Sequence, residues 1–95
     1  MSSTLNTNFD NKTDHEINEM VATATGKQFD FIPDFCNAPE YAFPLIEDNK
    51  ITLIAPSQCV DDWQARADMF NYKDVFYSPK PLRAAMIVFL LIKLK

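Results

Sequence analysis

The chain has 95 residues, of which 47% are hydrophobic and 23% charged, so it is expected to form one small folded domain, and a multi-domain enzyme is excluded. Its single glycine excludes a glycine-rich phosphate-binding loop and a dinucleotide-binding fingerprint. Nine Lys and Arg against thirteen Asp and Glu give a net charge of -4, and the basic residues are scattered, which argues against a basic patch that binds duplex nucleic acid.

The N-terminal segment is polar and offers few side chains to a core. Residues 1–12 are rich in Ser, Thr and Asn, so we expect a flexible arm, whose Phe9 could dock on a single domain spanning residues 13–95. The segment lacks the basic region and apolar run of a secretory signal, so we expect a cytoplasmic protein. The uncharged apolar run at residues 84–92 is shorter than the about 20 residues of a membrane-spanning helix, so no membrane insertion is expected.

A first helix is predicted over Asp14–Thr25. Thr13, followed three residues later by Glu16, fits a capping box, in which each side chain binds the other residue's free backbone N–H group. Gly26, the only glycine, follows where a left-handed C-cap is favoured. One apolar stripe repeats at helical spacing along this segment: Ile17, Met20, Val21 and Ala24.

The next segment alternates between two sets of side chains. Phe29, Phe31 and Pro33 fall on one side, and Asp30 and Ile32 fall on the other. An alternation of this kind, ended by a proline, predicts a short strand over residues 28–33.

A second helix is predicted to end at Asp48. Asn37 is a favourable N-cap for it, and Pro39 is tolerated in its first turn. Pro44 removes one intrahelical hydrogen bond, so it marks either the first turn of this helix or a kink in a helix that starts at Ala38.

Three β-prone segments follow. Residues 51–55 form a β-branched run between a turn at 48–50 and Pro56, which predicts a strand. Residues 63–69 alternate apolar and polar side chains but also contain good helix formers. We interpret them as a strand, because residues 71–74 supply a turn and residues 75–77 a β-prone return, and the two segments would form a hairpin.

The last helix, predicted over residues 82–94, is apolar on two sides. One stripe consists of Leu82, Ala85, Met86 and Phe89. The second stripe, nearly opposite, consists of Ala84, Ile87, Val88 and Leu91. Such a helix must be covered all round. One face can lie on the sheet, and the other needs the first two helices or a second copy of the protein, so both a monomer and a homodimer remain open.

Together these elements predict an α+β fold with about three helices packed on one face of a three- or four-stranded, mainly antiparallel sheet. Short strands interleaved with helices, a hairpin and no long parallel run favour this class.

Few residues suit chemistry. His15 is the only histidine and lies in the exposed first turn of a helix, so no pair of metal-binding histidines exists. Cys36 and Cys59 are far apart and form no CxxC motif, so we expect two unbridged cysteines. The neighbouring carboxylates Asp61 and Asp62 are expected to be solvated. We therefore expect no enzymatic activity, no cofactor and no tightly held metal.

Aromatic and arginine side chains are the candidates for an interaction surface. Most phenylalanines are expected in the core, whereas Trp and Tyr keep a polar group and are favoured at interfaces. Arg83 lies near the start of the last helix. We expect it to have one of three roles: a residue at the rim of the core, a pair with an acid such as Asp34, or a contact for a partner's carboxylate. The predicted surface comprises Trp63, Arg83, Tyr41, Tyr72 and Tyr77.

Three segments resemble one known family: Cys36-Asn37-Ala38-Pro39, Pro44-Leu45-Ile46 and the run PLRAAMIVFL at residues 81–90. They are similar to the NinX-like family of small proteins from tailed phages of enteric and related bacteria, over roughly residues 13–93. Members usually carry Asn where this chain has Lys80 and a glycine-containing turn at residues 48–50. The resemblance implies a phage or prophage accessory protein, made in the host cytoplasm, and it implies no activity or catalytic residue.

Two functions therefore stay open. The first is non-enzymatic binding to a host or phage protein, with modulation of a host defence or a host enzyme as the outcome. The second is an accessory role in phage recombination or replication, in which aromatic side chains stack on single-stranded bases. The scattered basic residues and the net charge of -4 favour the first, so nucleic acid is the less expected partner.

Overall fold

Within the part of the chain that the structure describes, the fold combines three helices with a three-stranded antiparallel sheet, which confirms the predicted α+β class. The structure is a computed structural model that describes residue 9 and residues 11–58, 61–67 and 75–93. Its helices are α1 (Asp14–Thr25), α2 (Pro39–Asp48) and α3 (Pro81–Lys93). Its strands are β1 (Ile51–Ile54), β2 (Trp63–Ala67) and β3 (Val75–Ser78).

Helix α1 begins and ends where the sequence predicts. The backbone N–H of Glu16 donates to the Thr13 hydroxyl over 3.1 Å, and the Glu16 carboxylate accepts from the Thr13 N–H over 2.8 Å. Gly26 ends the helix with a φ of 75°, which only glycine adopts without strain. Ile17 and Val21 of the apolar stripe are fully buried. Local capping and the apolar stripe therefore account for this helix.

Helix α2 differs from the prediction at its start. Its N-cap is Ala38, which makes no side-chain capping hydrogen bond. Asn37 is not the cap, because its amide donates instead to both carboxylate oxygens of Asp34, each over 3.1 Å. Pro44 lies inside the helix, the second of its two predicted positions.

The strand predicted over residues 28–33 is wrong. The whole connection from residue 27 to residue 38 contains neither helix nor strand. Of the three side chains predicted to share one face, Pro33 is buried, whereas Phe29 and Phe31 are exposed. Alternation alone does not make a strand, because a strand also needs a neighbour that completes its backbone hydrogen bonds. Here the Cys36 N–H finds its acceptor in a side chain of α1, on Asn18.

The sheet has the strand order β1-β2-β3, with antiparallel pairing at both contacts. Ala65 in the central strand pairs with Leu53 on one side and with Phe76 on the other. This register confirms that the segments of the predicted hairpin pair with each other. The turn predicted at residues 71–74 and the end of the strand predicted to residue 69 lie outside the described residues, and β1 ends one residue before its predicted end.

Helix α3 lies at the centre of the core and contacts α1, α2 and all three strands. Every residue from Ala84 to Leu91 is buried, so the stripe that includes Ile87 and Val88 is covered within one chain. Phe9 is also buried in this core, while the rest of the predicted arm up to residue 8 lies outside the described residues. None of the described helices has the length and apolar character needed to cross a membrane.

Candidate functional site

The 12-residue connection between α1 and α2, residues 27–38, carries a group of exposed apolar side chains, and we call it the aromatic loop. Phe31 keeps 62% of its surface accessible, and Phe29 and Ile32 are also exposed. Together with Tyr41 of α2 they form what we call the aromatic surface. Connections of this length without secondary structure are uncommon in compact domains, and ordered ones are frequently functional.

The rings of the aromatic surface are fixed by edge-to-face contacts that lead into the core. Phe31 meets Tyr41 with 6.3 Å between ring centroids and 85° between ring planes. Tyr41 in turn meets the buried Phe35 at 6.2 Å, and Phe35 meets Phe29 at 6.0 Å. Each such contact contributes about 0.5–1.5 kcal/mol beyond burial. The exposed rings are therefore held in defined positions by a ring that is itself in the core.

Asn18, a buried side chain of α1, ties the aromatic loop to the helix. Its Oδ1 accepts a hydrogen bond from the Cys36 N–H, and its Nδ2 donates to Oδ1 of Asp34, each over 3.0 Å. The Asp34 backbone carbonyl also accepts from the N–H groups of Asn37 and Ala38. These contacts tie residues 34–38 of the loop to α1 and to one another, so this part of the loop is ordered before any partner binds.

Cys36 lies beneath the loop and is unsuited to nucleophilic chemistry. Burial, followed by the charge of Asp14, raises the pKa of its thiol to about 12. Its Sγ lies 3.8 Å from the backbone carbonyl oxygen of Asp14 and is a free thiol, as predicted for this cysteine. The predicted state of Cys59 lies outside the described residues. Because the thiolate is the reactive form, Cys36 is a packing residue at neutral pH.

We expect Cys36 to resist alkylation by N-ethylmaleimide in the native protein at pH 7.5. Its raised pKa and burial should slow labelling by at least about a hundredfold relative to the same thiol in urea, where its pKa returns to its ordinary value of 9.0. Peptide mass spectrometry of the Cys36 peptide measures the rate directly and is unaffected by labelling at Cys59. Equal rates in buffer and urea would contradict the burial of this thiol.

The aromatic surface belongs to an acidic part of the chain. Residues 28–49 contain no Lys, Arg or His and five acids: Asp30, Asp34, Glu40, Glu47 and Asp48. Since the whole chain has a net charge of -4, the remaining residues carry a net charge of +1. The excess negative charge is thus concentrated on the segment that presents the exposed rings.

Arg83 sits beside this segment in a cluster of ionic contacts at the start of α3. Its Nη1 donates to Oδ1 of Asp14 over 2.7 Å, and its Nη2 donates to the backbone carbonyls of Lys12 at 2.6 Å and Phe9 at 3.0 Å. Lys80 binds the other oxygen of the same Asp14 carboxylate. Of the three roles considered for Arg83, the structure shows the pairing with an acid, and that acid is Asp14, not Asp34. The first turn of α1 reaches Arg83, whereas Asn18 and Asn37 bind Asp34.

Asp14 is ionised in this cluster. Burial by itself would raise the pKa of Asp14, but hydrogen bonds from Lys80, Arg83 and Asn37 outweigh it and hold that pKa below its usual range. Asn37 donates to Asp14 over 3.3 Å. Asn37 and Arg83 thus both bind the Asp14 carboxylate, and they come from two of the segments that carry the family resemblance, residues 36–39 and 81–90.

Residues 11–93 match the family model described as Bacteriophage P22, NinX. The chain belongs to this NinX family. The predicted resemblance, over roughly residues 13–93, is confirmed over its whole extent. No curated protein and no solved structure matches the chain.

The predicted interaction residues of this NinX-family protein do not converge on one surface. Tyr41 belongs to the aromatic surface, and Arg83 is occupied within the fold. Trp63 pairs with Ser78 of β3 and shares its face of the sheet. Tyr77 is the neighbour of Ser78 in that strand, so the exposed Tyr77 lies on the opposite face from Trp63. Tyr72 lies outside the described residues. His15 is a surface residue 3.4 Å from Glu19, and the described part of the chain contains no group of His, Cys, Asp and Glu suited to a metal ion.

The sequence interpretation missed Phe29, Phe31 and Ile32 as surface residues, because it assigned them to a strand. A usable signal was present: these apolar residues are interleaved with acids over a stretch that contains no base.

The NinX-family chain also has a groove between α1 and α3, with a volume of about 440 Å³. Met20, Ala24 and Leu90 form apolar parts of its wall, and the oppositely charged Glu19 and Lys93 also line it. Its apolar side chains are more buried than those of the aromatic loop. The aromatic surface is therefore the stronger candidate for recognition.

Proposed function

We propose that this NinX-family protein is a non-enzymatic binding protein that recognises a host or phage protein through its aromatic surface, in the cytoplasm of the bacterial host. The observation that supports this proposal is the exposure of Phe31, at 62%, on a loop whose backbone and rings are tied to α1 and the core. Exposed apolar groups mark contact sites, and rigid aromatic side chains serve as anchors because little side-chain entropy is lost on binding.

The charge around the rings favours a protein partner over nucleic acid. Proteins that stack bases on aromatic rings combine them with Lys and Arg, which neutralise the phosphates. Residues 28–49 supply five acids and no base instead. Phosphates would be repelled from the aromatic surface, so a role in recombination or replication through direct nucleic-acid binding is disfavoured.

Phe31→Ala should abolish partner capture while leaving the fold intact, because the ring is exposed and removing it opens no cavity in the core. Loss of a central aromatic anchor typically costs about 2 kcal/mol or more, which corresponds to about a thirtyfold loss of affinity. The measurement is quantitative mass spectrometry of proteins captured from phage-infected host lysate by immobilised wild-type and variant chains.

Phe43→Ala is the matched control. Phe43 is 50% exposed on α2 but lies two positions from Tyr41, on a different side of that helix. The proposal requires at least one protein that the wild type and Phe43→Ala capture equally and Phe31→Ala loses. It would be overturned if Phe31→Ala retained every captured protein, or if a labelled single-stranded oligonucleotide bound the wild type and lost binding with Phe31→Ala.

A further inference from the structure

We infer that the aromatic surface recognises a cationic segment, in which an arginine or lysine lies next to an apolar side chain. This inference rests on the proposed function and adds the chemistry of the partner. Two independent observations carry it: the angle between the exposed rings, and the exposed acidic residues that directly precede them in the sequence.

Phe31 and Tyr41 form an open corner. Their planes stand at 85° with 6.3 Å between centroids, so the edge of one ring faces the other, and Phe31 remains mostly exposed. The face of an aromatic ring carries partial negative charge and attracts a cation within about 6 Å of its centre. The chain already contains one such contact, with Lys93 Nζ 5.7 Å from the centre of the Phe89 ring.

Carboxylates flank this corner along the chain. Asp30 directly precedes Phe31, Glu40 directly precedes Tyr41, and both acids are exposed. Asp34 accepts hydrogen bonds from the neutral amides of Asn18 and Asn37. A partner cation would therefore meet ring faces and carboxylates together, whereas an acidic segment would be repelled.

The neighbouring cations leave an excess of negative charge around the rings, because residues 27–49 contain five acids and only one base, Lys27. Lys80 and Arg83 are both paired with Asp14. Lys27 starts the aromatic loop, and the next base along the chain is Lys50. An arginine fits the site particularly well, because its planar guanidinium stacks on a ring and donates to a carboxylate at the same time.

Three fluorescein-labelled nine-residue peptides test the inference by fluorescence anisotropy. They share alternating leucines and differ only in the intervening residues, which are Arg, Gln or Glu. We expect the Arg peptide to bind the wild type about tenfold more tightly than the Gln peptide, with this ratio falling as salt is raised from about 0.05 M to about 0.3 M, and the Glu peptide not to bind.

Comparing the wild type with three variants separates the contribution of the ring from that of the carboxylates. Phe31→Ala should lose both the Arg and the Gln peptide. The double variant Asp30→Asn/Glu40→Gln should bind the Gln peptide normally but lose the preference for Arg. Its control, Asp61→Asn/Asp62→Asn, removes the same charge before β2 and should keep that preference.

Three other results would contradict the inference, and they differ in what they imply for the proposed function. Phe31-dependent binding with equal affinity for the Arg and Gln peptides would overturn the cationic partner and leave the proposed function standing. Binding that Phe31→Ala does not weaken would count against both. Equal loss of the Arg preference in the two double variants would show attraction to net charge alone and overturn the inference.

Discussion

Val88→Asp should prevent the domain from folding. Val88 is fully buried in α3, which contacts both helices and all three strands. A carboxylate there has to be desolvated or protonated in a site filled by apolar groups, and such changes typically cost more than about 4 kcal/mol. A domain of this size has only about 5–15 kcal/mol of stability to lose. Circular dichroism and urea titration should show little or no cooperative unfolding.

Phe43→Asp makes the same apolar-to-acid change at an exposed helical position, and we expect it to alter stability by less than about 1 kcal/mol. If the wild type were a dimer and the Val88→Asp variant a folded monomer, α3 would instead lie at the interface between two copies. That result would contradict the burial of its second stripe within one chain.

Arg83→Met should destabilise the domain by about 2–4 kcal/mol, because it removes charge-assisted hydrogen bonds from a largely desolvated site. The Arg83 side chain is only 13% exposed and joins α3 to Asp14 and to the carbonyls of Phe9 and Lys12. Urea unfolding of the variant and the wild type, compared at one pH, measures the loss.

Lys80→Met is the matched control, because Lys80 binds the same carboxylate but is 42% exposed. Screening by water should keep its effect below about 1 kcal/mol. Arg83→Lys should not restore stability, since a single ammonium cannot reproduce the fork that reaches three acceptors. Equal losses in Arg83→Met and Lys80→Met would show that the buried guanidinium has no special role.

The same cluster makes the stability depend on pH in a defined direction. The pKa of Asp14 is lowered in the folded chain from an ordinary value of 3.8. The contribution of ionised Asp14 to the free energy of unfolding is therefore fully present above pH 3.8, and it is lost as the pH falls through the lowered pKa.

Helices α1 and α3 were predictable because their signals are local. The capping box of Thr13 and Glu16 and the glycine at position 26 mark α1, and continuous apolar periodicity marks α3. The β2–β3 pairing followed from alternation on both sides of a turn. In each case, residues within one segment or two adjacent ones determine the result.

The aromatic loop was not predictable in this way, because its conformation depends on a distant side chain. Asn18 lies 18 residues before Cys36, and its side chain accepts a hydrogen bond from the Cys36 N–H. Arg83 likewise finds Asp14 only after α1 and α3 have packed together. The alternation of residues 28–33 therefore predicted a strand, whereas Phe29 and Phe31 lie exposed on a loop, with Phe31 against Tyr41 of α2.

The aromatic loop is expected to present its rings from a fixed conformation, and backbone NMR relaxation together with amide hydrogen exchange tests this most directly. We expect the heteronuclear NOE values of residues 29–37 to equal those of α1 and α2, as for backbone with order parameters near about 0.85. The Cys36 amide, which donates to Asn18 in the interior, should exchange as slowly as amides within α1. Low NOE values across the loop with rapid exchange at Cys36 would contradict the claim.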